Sequence, residues 1–342
     1  MSDSVTLQDT ERPERRKRNL SRRTPHPPTG VGSRLKRILN VDDLELSLLA
    51  LPTFVWYILF AYLPMFGIII AFVRYKPIRG ANFLVSLLRS EFVGLYNFKF
   101  LFTTPDAAIV FRNTLGYNIV FIIMGVVVPL TLAVMMSMLY SQRLAKICQT
   151  AIFLPYFLSW VVVSYFGMAF LSVNRGLVNQ ILTAVGRDPV QWYMSPQYWP
   201  YILVGVNLWK NVGYGMVLYL ASITNIDATL YEAAVVDGAS KWQQVKHITL
   251  PLLKPMVIIL FILSVGGIFY SDFGLFYIMP RNQGALSNVT QTIDVYVYKA
   301  LMQMNNLGFA SAASFLQSVF GFITIFAANT VVKKLDPERG LF

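Results

Sequence analysis

Charge is scarce in this chain. Of its 342 residues only 13% are Asp, Glu, Lys or Arg, about half the ~25% of a soluble domain. Such a chain cannot present a polar surface on every side, which excludes an ordinary soluble fold. Cysteine is scarcer still: Cys148 stands alone, so no internal disulfide can form. The two histidines, His26 and His247, lie in different segments, and no Cys/His/carboxylate cluster has metal-ligand spacing. No GxxxxGK[ST] stretch occurs, so the chain supplies no phosphate loop of its own. No GxSxG elbow and no paired carboxylates appear either, which removes the commonest grounds for an enzyme. Internal repeats are missing and the expected spans hold few acids, whereas an ion-coupled transporter would show inverted repeats and intramembrane acids.

What is present is apolar: 55% of residues are hydrophobic and the mean hydropathy is +0.53. These values identify an all-α polytopic membrane protein. The net charge of +12 is not spread over a soluble surface, so no nucleic-acid partner is implied. Residues 1–41 alone carry ten Lys/Arg against four Asp/Glu, half of the excess. This segment, containing ERPERRKRNLSRR and TPHPPTG, has too little apolar content to fold by itself. It reads as a disordered cytoplasmic tail over residues 1–43, which either sets topology or meets anionic lipid headgroups. Residues 44–342 then form the membrane domain.

About 20 mostly apolar residues cross a bilayer as a helix. Six such spans are expected, near residues 46–72, 113–140, 150–172, 199–222, 256–279 and 313–332. The runs Leu115–Tyr140, Ile147–Asn174 and Ala300–Val332 contain no charged residue at all. The fifth span is interrupted by Gly266, Gly267, Asp272 and Pro280. With both termini cytoplasmic, inside segments hold eighteen of the 29 Lys and Arg, as the positive-inside bias requires.

That orientation places a polar segment, YEAAVVDGASKWQQVKHITLPLLKP from Tyr231 to Pro255, in the cytoplasm. Asp227 can cap a first helix running toward Asp237, and Gly238 suits the left-handed residue that ends it. Ser240 with Gln243 forms a capping box for a second helix, expected over Lys241 to His247. Pro251 and Pro255 are expected to stop that helix, with His247 a cation near its end. The product is a compact bent knob with small alanines on one arm, shaped to fit a groove on another protein.

Glu232-Ala233-Ala234, then Asp237-Gly238-Ala239, then Ile248-Thr249-Leu250-Pro251 resembles the EAA loop of binding-protein-dependent ABC importer permeases. Leu63-Pro64-Met65-Phe66-Gly67-Ile68, Val93-Gly94-Leu95-Tyr96-Asn97-Phe98 and Arg112-Asn113-Thr114-Leu115 resemble carbohydrate-type members. Ile293-Asp294-Val295-Tyr296-Val297-Tyr298, Asn329 and the closing Gly340-Leu341-Phe342 resemble the oligosaccharide and polysaccharide branch. The resemblance implies a type I importer permease fold and a coupling loop at residues 226–255. Within it, Glu232, Ala233, Ala234, Asp237, Gly238, Leu250 and Pro251 would engage an ATPase subunit. It implies further partners: a second, homologous permease, two cytoplasmic ATPase subunits, an extracellular or periplasmic solute-binding protein, membrane lipids and a carbohydrate substrate. No cofactor would be bound by this chain, since ATP and Mg would be used by the ATPase subunits.

The fourth span, YWPYILVGVNLWKNVGYGMVLYLAS, carries a charge near its middle. An intramembrane cation is costly unless paired or hydrated. Asn207, Lys210, Asn211 and Tyr214 recur at i, i+3, i+4 and i+7, one helix face. Two readings stand: the face lines a hydrated substrate pathway, or Lys210 makes a structural pair with Asp272 while the asparagines bind neighbouring helices. Trp160, Tyr156 and Ser159 in the third span could meet a sugar, whose C–H faces stack on rings. Trp192, Tyr193, Tyr198 and Trp199 are expected in an interfacial aromatic belt.

Overall fold

The computed structural model describes residues 41–335. The basic tail, up to residue 40, and the closing Gly340-Leu341-Phe342 lie outside the described residues. The chain divides after Leu63 into two units, Met1–Leu63 and Pro64–Phe342. In the first, helix α1 (Val41–Tyr57) carries Pro52 in its interior and runs on as a π-helical turn, Ile58–Tyr62. Leu46, Leu49, Phe54 and Phe60 are all largely exposed, an apolar surface of the kind that faces lipid.

In the second unit, a 3₁₀ run, Phe66–Phe72, leads into two short antiparallel strands, β1 (Val73–Arg74) and β2 (Glu91–Phe92). Helix α2 (Pro105–Ser137) then starts eight residues before the expected span, with Pro105 in its first turn and Asp106 beside the helix N-terminus. Both choices suit that end, where a missing N–H costs nothing and negative charge meets the positive dipole end.

The third span is broken rather than straight. Helix α3 (Gln142–Phe153) is capped by Ser141, and α4 (Trp160–Leu171) by Ser159, whose hydroxyl accepts from Val162 N at 3.3 Å. Between them Pro155 has no N–H to continue a helix, and Leu158 and Ser159 are extended. The arms Gln142–Phe157 and Trp160–Leu171 meet at 101°.

A short helix, α5 (Leu177–Ala184), and a loop follow, then α6 (Trp199–Thr224). At 26 residues α6 is the hub of the unit. Trp199 and Leu203 pack with Tyr117, Leu275, Phe276 and Met279 at one end. Met216, Tyr219 and Ile223 pack with Ala133, Val245 and Leu253 at the other. Of the aromatics expected in an interfacial belt, Trp199 instead packs inside the protein, while Tyr198 stays exposed and Trp192 and Tyr193 are half-buried. Trp199 is fully buried and donates to Trp192 O at 2.8 Å, while Trp192 donates to Asn179 Oδ1 at 2.9 Å. Asn179 uses both ends of its amide, donating to Val173 O and Val190 O and accepting from Val190 N. A saturated buried amide of this kind pins a loop rigidly.

Helices α7 (Ala228–Val236) and α8 (Lys241–Gln244) form the bent segment expected to be the coupling loop. Contrary to the expected stop at Pro251, α8 passes through a π-helical stretch, Val245–Thr249, into α9 (Leu250–Gly266). The result is one helix, Lys241–Gly266. Pro251 falls in the first turn after the π stretch, where its missing N–H breaks little, and Pro255 is absorbed inside. His247 consequently sits mid-helix, its Nδ1 3.0 Å from Gln243 O, not at a terminus.

The fifth span ends as a helix at Gly266, well before residue 279. Its non-helical continuation is satisfied by side chains of neighbouring helices. Asn118 donates to Ile268 O and Tyr270 O at 2.7 and 2.8 Å, and Gln317 donates to Phe269 O at 2.9 Å. Irregular backbone at membrane depth requires such partners. Helices α10 (Ile293–Met302) and α11 (Leu307–Leu335) are the last elements among the described residues. Among the described residues four helices are long and apolar enough to cross a membrane: Glu45–Phe72, Asp106–Ser137, Lys241–Gly266 and Leu307–Lys334. The bent pair would make five. Helix α6 is long enough, but its polar stripe dilutes its apolar character.

Candidate functional site

The coupling segment is a braced turn between two helices. Asp227 caps α7 by accepting from Thr229 N at 2.9 Å, and that hydrogen bond holds its carboxyl below the usual carboxylate range. At the other end Gly238 adopts φ +78°. Gly238 N donates to Val235 O at 3.0 Å and Ala239 N to Ala234 O at 2.8 Å, the pair of bonds that defines a Schellman closure. Ser240 and Gln243 then form both halves of a capping box. Three different caps within fourteen residues fix the angle between the arms.

Side chains lock the arms together as well. Tyr231 Oη lies 2.9 Å from Thr249 Oγ1, and Gln244 donates to Ala239 O at 3.1 Å. A groove of about 450 Å³ opens beside them, lined by Tyr231, Glu232, Val235, Lys241, Gln244 and Thr249 among others. Glu232, Ala233, Asp237, Gly238, Leu250 and Pro251 are exposed and Ala234 half-buried, and Pro251 also lies in the first turn of α9. The motif's neighbours are also exposed: Val235, Val236 at 88% and Trp242 at 65%. Sequence reasoning passed over these three, although apolar residues beside a polar cytoplasmic motif are a readable signal of a contact surface.

Inside the spans, the polar stripe of α6 is split between two neighbours. Asn207, Asn211 and Tyr214 line a cavity of about 220 Å³ with Phe121, Gly125 and Ser264, and Asn211 donates to Asn207 Oδ1 at 2.8 Å. Lys210 turns the other way and is only 7% exposed. Positions 210 and 211 are about 100° apart around a helix, so the two edges of the stripe face different elements. Lys210 donates to Tyr156 O at 2.9 Å, a carbonyl at the break between α3 and α4. Its ammonium also lies over the rings of Tyr156 at 5.5 Å and Trp160 at 5.3 Å.

Asp272 is not bonded directly to Lys210. It accepts from Trp160 Nε1 at 2.8 Å and from Gly274 N at 2.8 Å, so the indole stands between the two charges. Gly274 leaves space for that indole, since a Cβ there would fall 2.0 Å from Trp160 Cδ1. Tyr156 stacks on Tyr214 at 5.0 Å, and Ser159 is occupied in capping α4. Tyr156, Trp160, Lys210 and Tyr214 thus form one cluster where the third span bends.

Other motif residues tie the polypeptide together. Asn113 donates to Asn288 O and Gln291 O, both at 3.0 Å, and Thr114 accepts from Ile293 N at 3.0 Å. Asp294 accepts from Ser271 N at 2.6 Å. Among the described residues no group of three His, Cys, Asp or Glu could hold a metal ion.

The profile of the binding-protein-dependent transport system inner membrane component matches residues 125–337, and the chain belongs to that family. It is similar to the polygalacturonan/rhamnogalacturonan transport system permease protein YteP of Bacillus subtilis, at 32% identity over 90% of this chain and 94% of that one. Protein LplB of the same organism is 32% identical over 88% and 92%. A bacterial ABC transporter involved in the import of the acidic polysaccharide alginate superposes with a TM-score of 0.79 at 30% identity, covering 89% of this chain and 99% of the other. The chain is therefore the inner-membrane permease component of a carbohydrate ABC importer with the type I permease fold. ATP hydrolysis falls to separate subunits.

Proposed function

We propose that this permease translocates oligosaccharides bearing uronate carboxylates, received from a periplasmic binding protein. The observation that carries the reading is Lys210. Among the described residues no carboxylate lies within ion-pair reach of this buried ammonium. The adjacent cavity is walled by Asn207, Asn211, Tyr214 and Ser264 and by no acid. Asp272, beyond the Trp160 indole, is engaged by Trp160 Nε1 and Gly274 N; an ammonium with no paired carboxylate favours an anionic ligand over a neutral one. The polymers named for two similar proteins point the same way, since polygalacturonan and alginate are both uronate polymers.

The same reading gives the rest of the assembly. Six spans with both termini cytoplasmic would put the Tyr231–Pro255 knob against an ATPase subunit, where Glu232 and Gly238 couple hydrolysis to opening. One knob serves one ATPase, so a second, homologous permease completes the pore and its second ATPase contact. The alginate importer has been solved in complex with an alginate pentasaccharide-bound periplasmic protein, which supports an equivalent donor here.

The test is ATPase stimulation of the reconstituted transporter with its binding protein, comparing an oligogalacturonate with the same sugar after reduction of its carboxyl groups. Stimulation by the acid alone is expected, and Lys210→Met should reduce it. Equal stimulation by both sugars would overturn the uronate reading.

A further inference from the structure

Between Phe72 and the start of α2 at Pro105 the chain builds a small module that transport does not account for. Its inner side is fixed to the helices. Asn97, 5% exposed, donates to Ala71 O and Val73 O, both at 3.0 Å. Phe98 packs with Ala71, Phe72, Ala312 and Phe315. In the short helix Phe83–Leu88, Ser86 is 2% exposed and its hydroxyl accepts from Ile78 N and donates to Asn82 O.

The outer side is of opposite character. At about 100° per residue, Leu84 and Leu88 each lie roughly 200° from Ser86 and within about 40° of one another. They share the face pointing away from the protein, at 67% and 85% exposure. Phe92, Leu95 and Phe102 are exposed too. The same module carries five exposed cations, Arg74, Lys76, Arg79, Arg89 and Lys99, against the single acid Glu91. Arg74 and Glu91 pair at 3.1 Å, which leaves four cations in excess.

We propose that this module is an interfacial anchor, with Leu84 and Leu88 at the headgroup–acyl boundary and its cations on the phosphates of anionic lipids. Three observations select lipid as the occupant. The module joins two membrane-crossing helices, Glu45–Phe72 and Asp106–Ser137, so its ends lie at the bilayer edge. Ile68 and Ile69, just before it, are themselves exposed, so the chain enters the module from an exposed apolar stretch. Exposed leucines in a module rich in long basic side chains, whose stems can lie along apolar surface with the charge in the headgroups, match the chemistry of an interface. The rigid attachment through Asn97 and Phe98 would then hold the ends of the first two spans at a fixed depth.

The chain's single cysteine makes the test direct. In a Cys148→Ser background, Leu88→Cys is labelled with an environment-sensitive nitrobenzoxadiazole and the assembled transporter is placed in phosphatidylcholine vesicles, with or without phosphatidylglycerol. Nitroxide-bearing lipids then act as quenchers. Quenching should be strongest for a nitroxide near the headgroup, and at least about twofold stronger on phosphatidylglycerol than on phosphatidylcholine. Arg79→Glu with Arg89→Glu should abolish that preference. Quenching by aqueous iodide but not by lipid overturns the proposal, as does a label shielded from both by a protein partner. Equal quenching by the two lipids refutes the role given to the cations.

Discussion

Gly238 offers the sharpest test of how the coupling segment works. Its φ of +78° lies in the left-handed region, and an added Cβ would meet nothing within 4 Å. A substitution there is therefore not a steric clash; it acts on the backbone alone. An L-residue pays about 1–2 kcal/mol to enter that region, which lowers the population of the closed turn roughly 5- to 30-fold. Asn tolerates it better than other non-glycine residues, and a β-branched residue least. The expected order of function is Gly238, then Gly238→Asn, then Gly238→Ala, then Gly238→Val. The readouts are co-purification of the ATPase subunit and its stimulation by loaded binding protein in proteoliposomes. Thermal stability of the spans should change little, because the residue is exposed and contacts none of them. Wild-type coupling in Gly238→Val would show that the knob's shape is immaterial. Equal losses for Asn and Val would refute the conformational argument even if the loop matters.

Gly274→Ala should displace the Trp160 indole, because the new Cβ would lie 2.0 Å from Trp160 Cδ1; loss of stability and of uptake together is expected, and an unchanged melting curve would contradict the packing. Lys210→Met leaves the Tyr156 carbonyl without its donor, at about 1–3 kcal/mol. With Trp160 interposed, its coupling to Asp272→Asn should stay below about 1 kcal/mol in a double-mutant cycle, whereas several kcal/mol would reveal a direct charge pair. Asp227 has a lowered pKa in the folded state, so its capping contribution is present above the ordinary carboxylate range and lost as pH falls through the folded value. Asp227→Asn should cap α7 without that pH dependence, measured as ATPase co-purification across acid pH; an identical acid profile in both proteins would exclude Asp227 as its source.

Much of the coupling segment was legible in sequence because its signals are local. A cap, a left-handed glycine and a capping box are each decided within four or five residues, and Asp227, Gly238 and Ser240 with Gln243 behave as their types and spacing require. The membrane class follows equally directly from scarce charge and long apolar runs. Proline was read less well. Pro155 breaks the third span at 101°, while Pro251 and Pro255 are carried inside one helix, Lys241–Gly266. The residue is the same in each case; whether neighbouring helices and a π-helical stretch absorb the missing N–H is a property of packing. The stripe on α6 divides for a similar reason. Periodicity placed Asn207, Lys210, Asn211 and Tyr214 on one face, but a face about 100° wide can border two neighbours. Only the tertiary arrangement set Asn207 and Asn211 on a cavity and Lys210 on the carbonyl of Tyr156. Helix period and capping are short-range properties of the chain, whereas the partner of a buried charge is chosen by whichever element the fold brings within 3 Å of it.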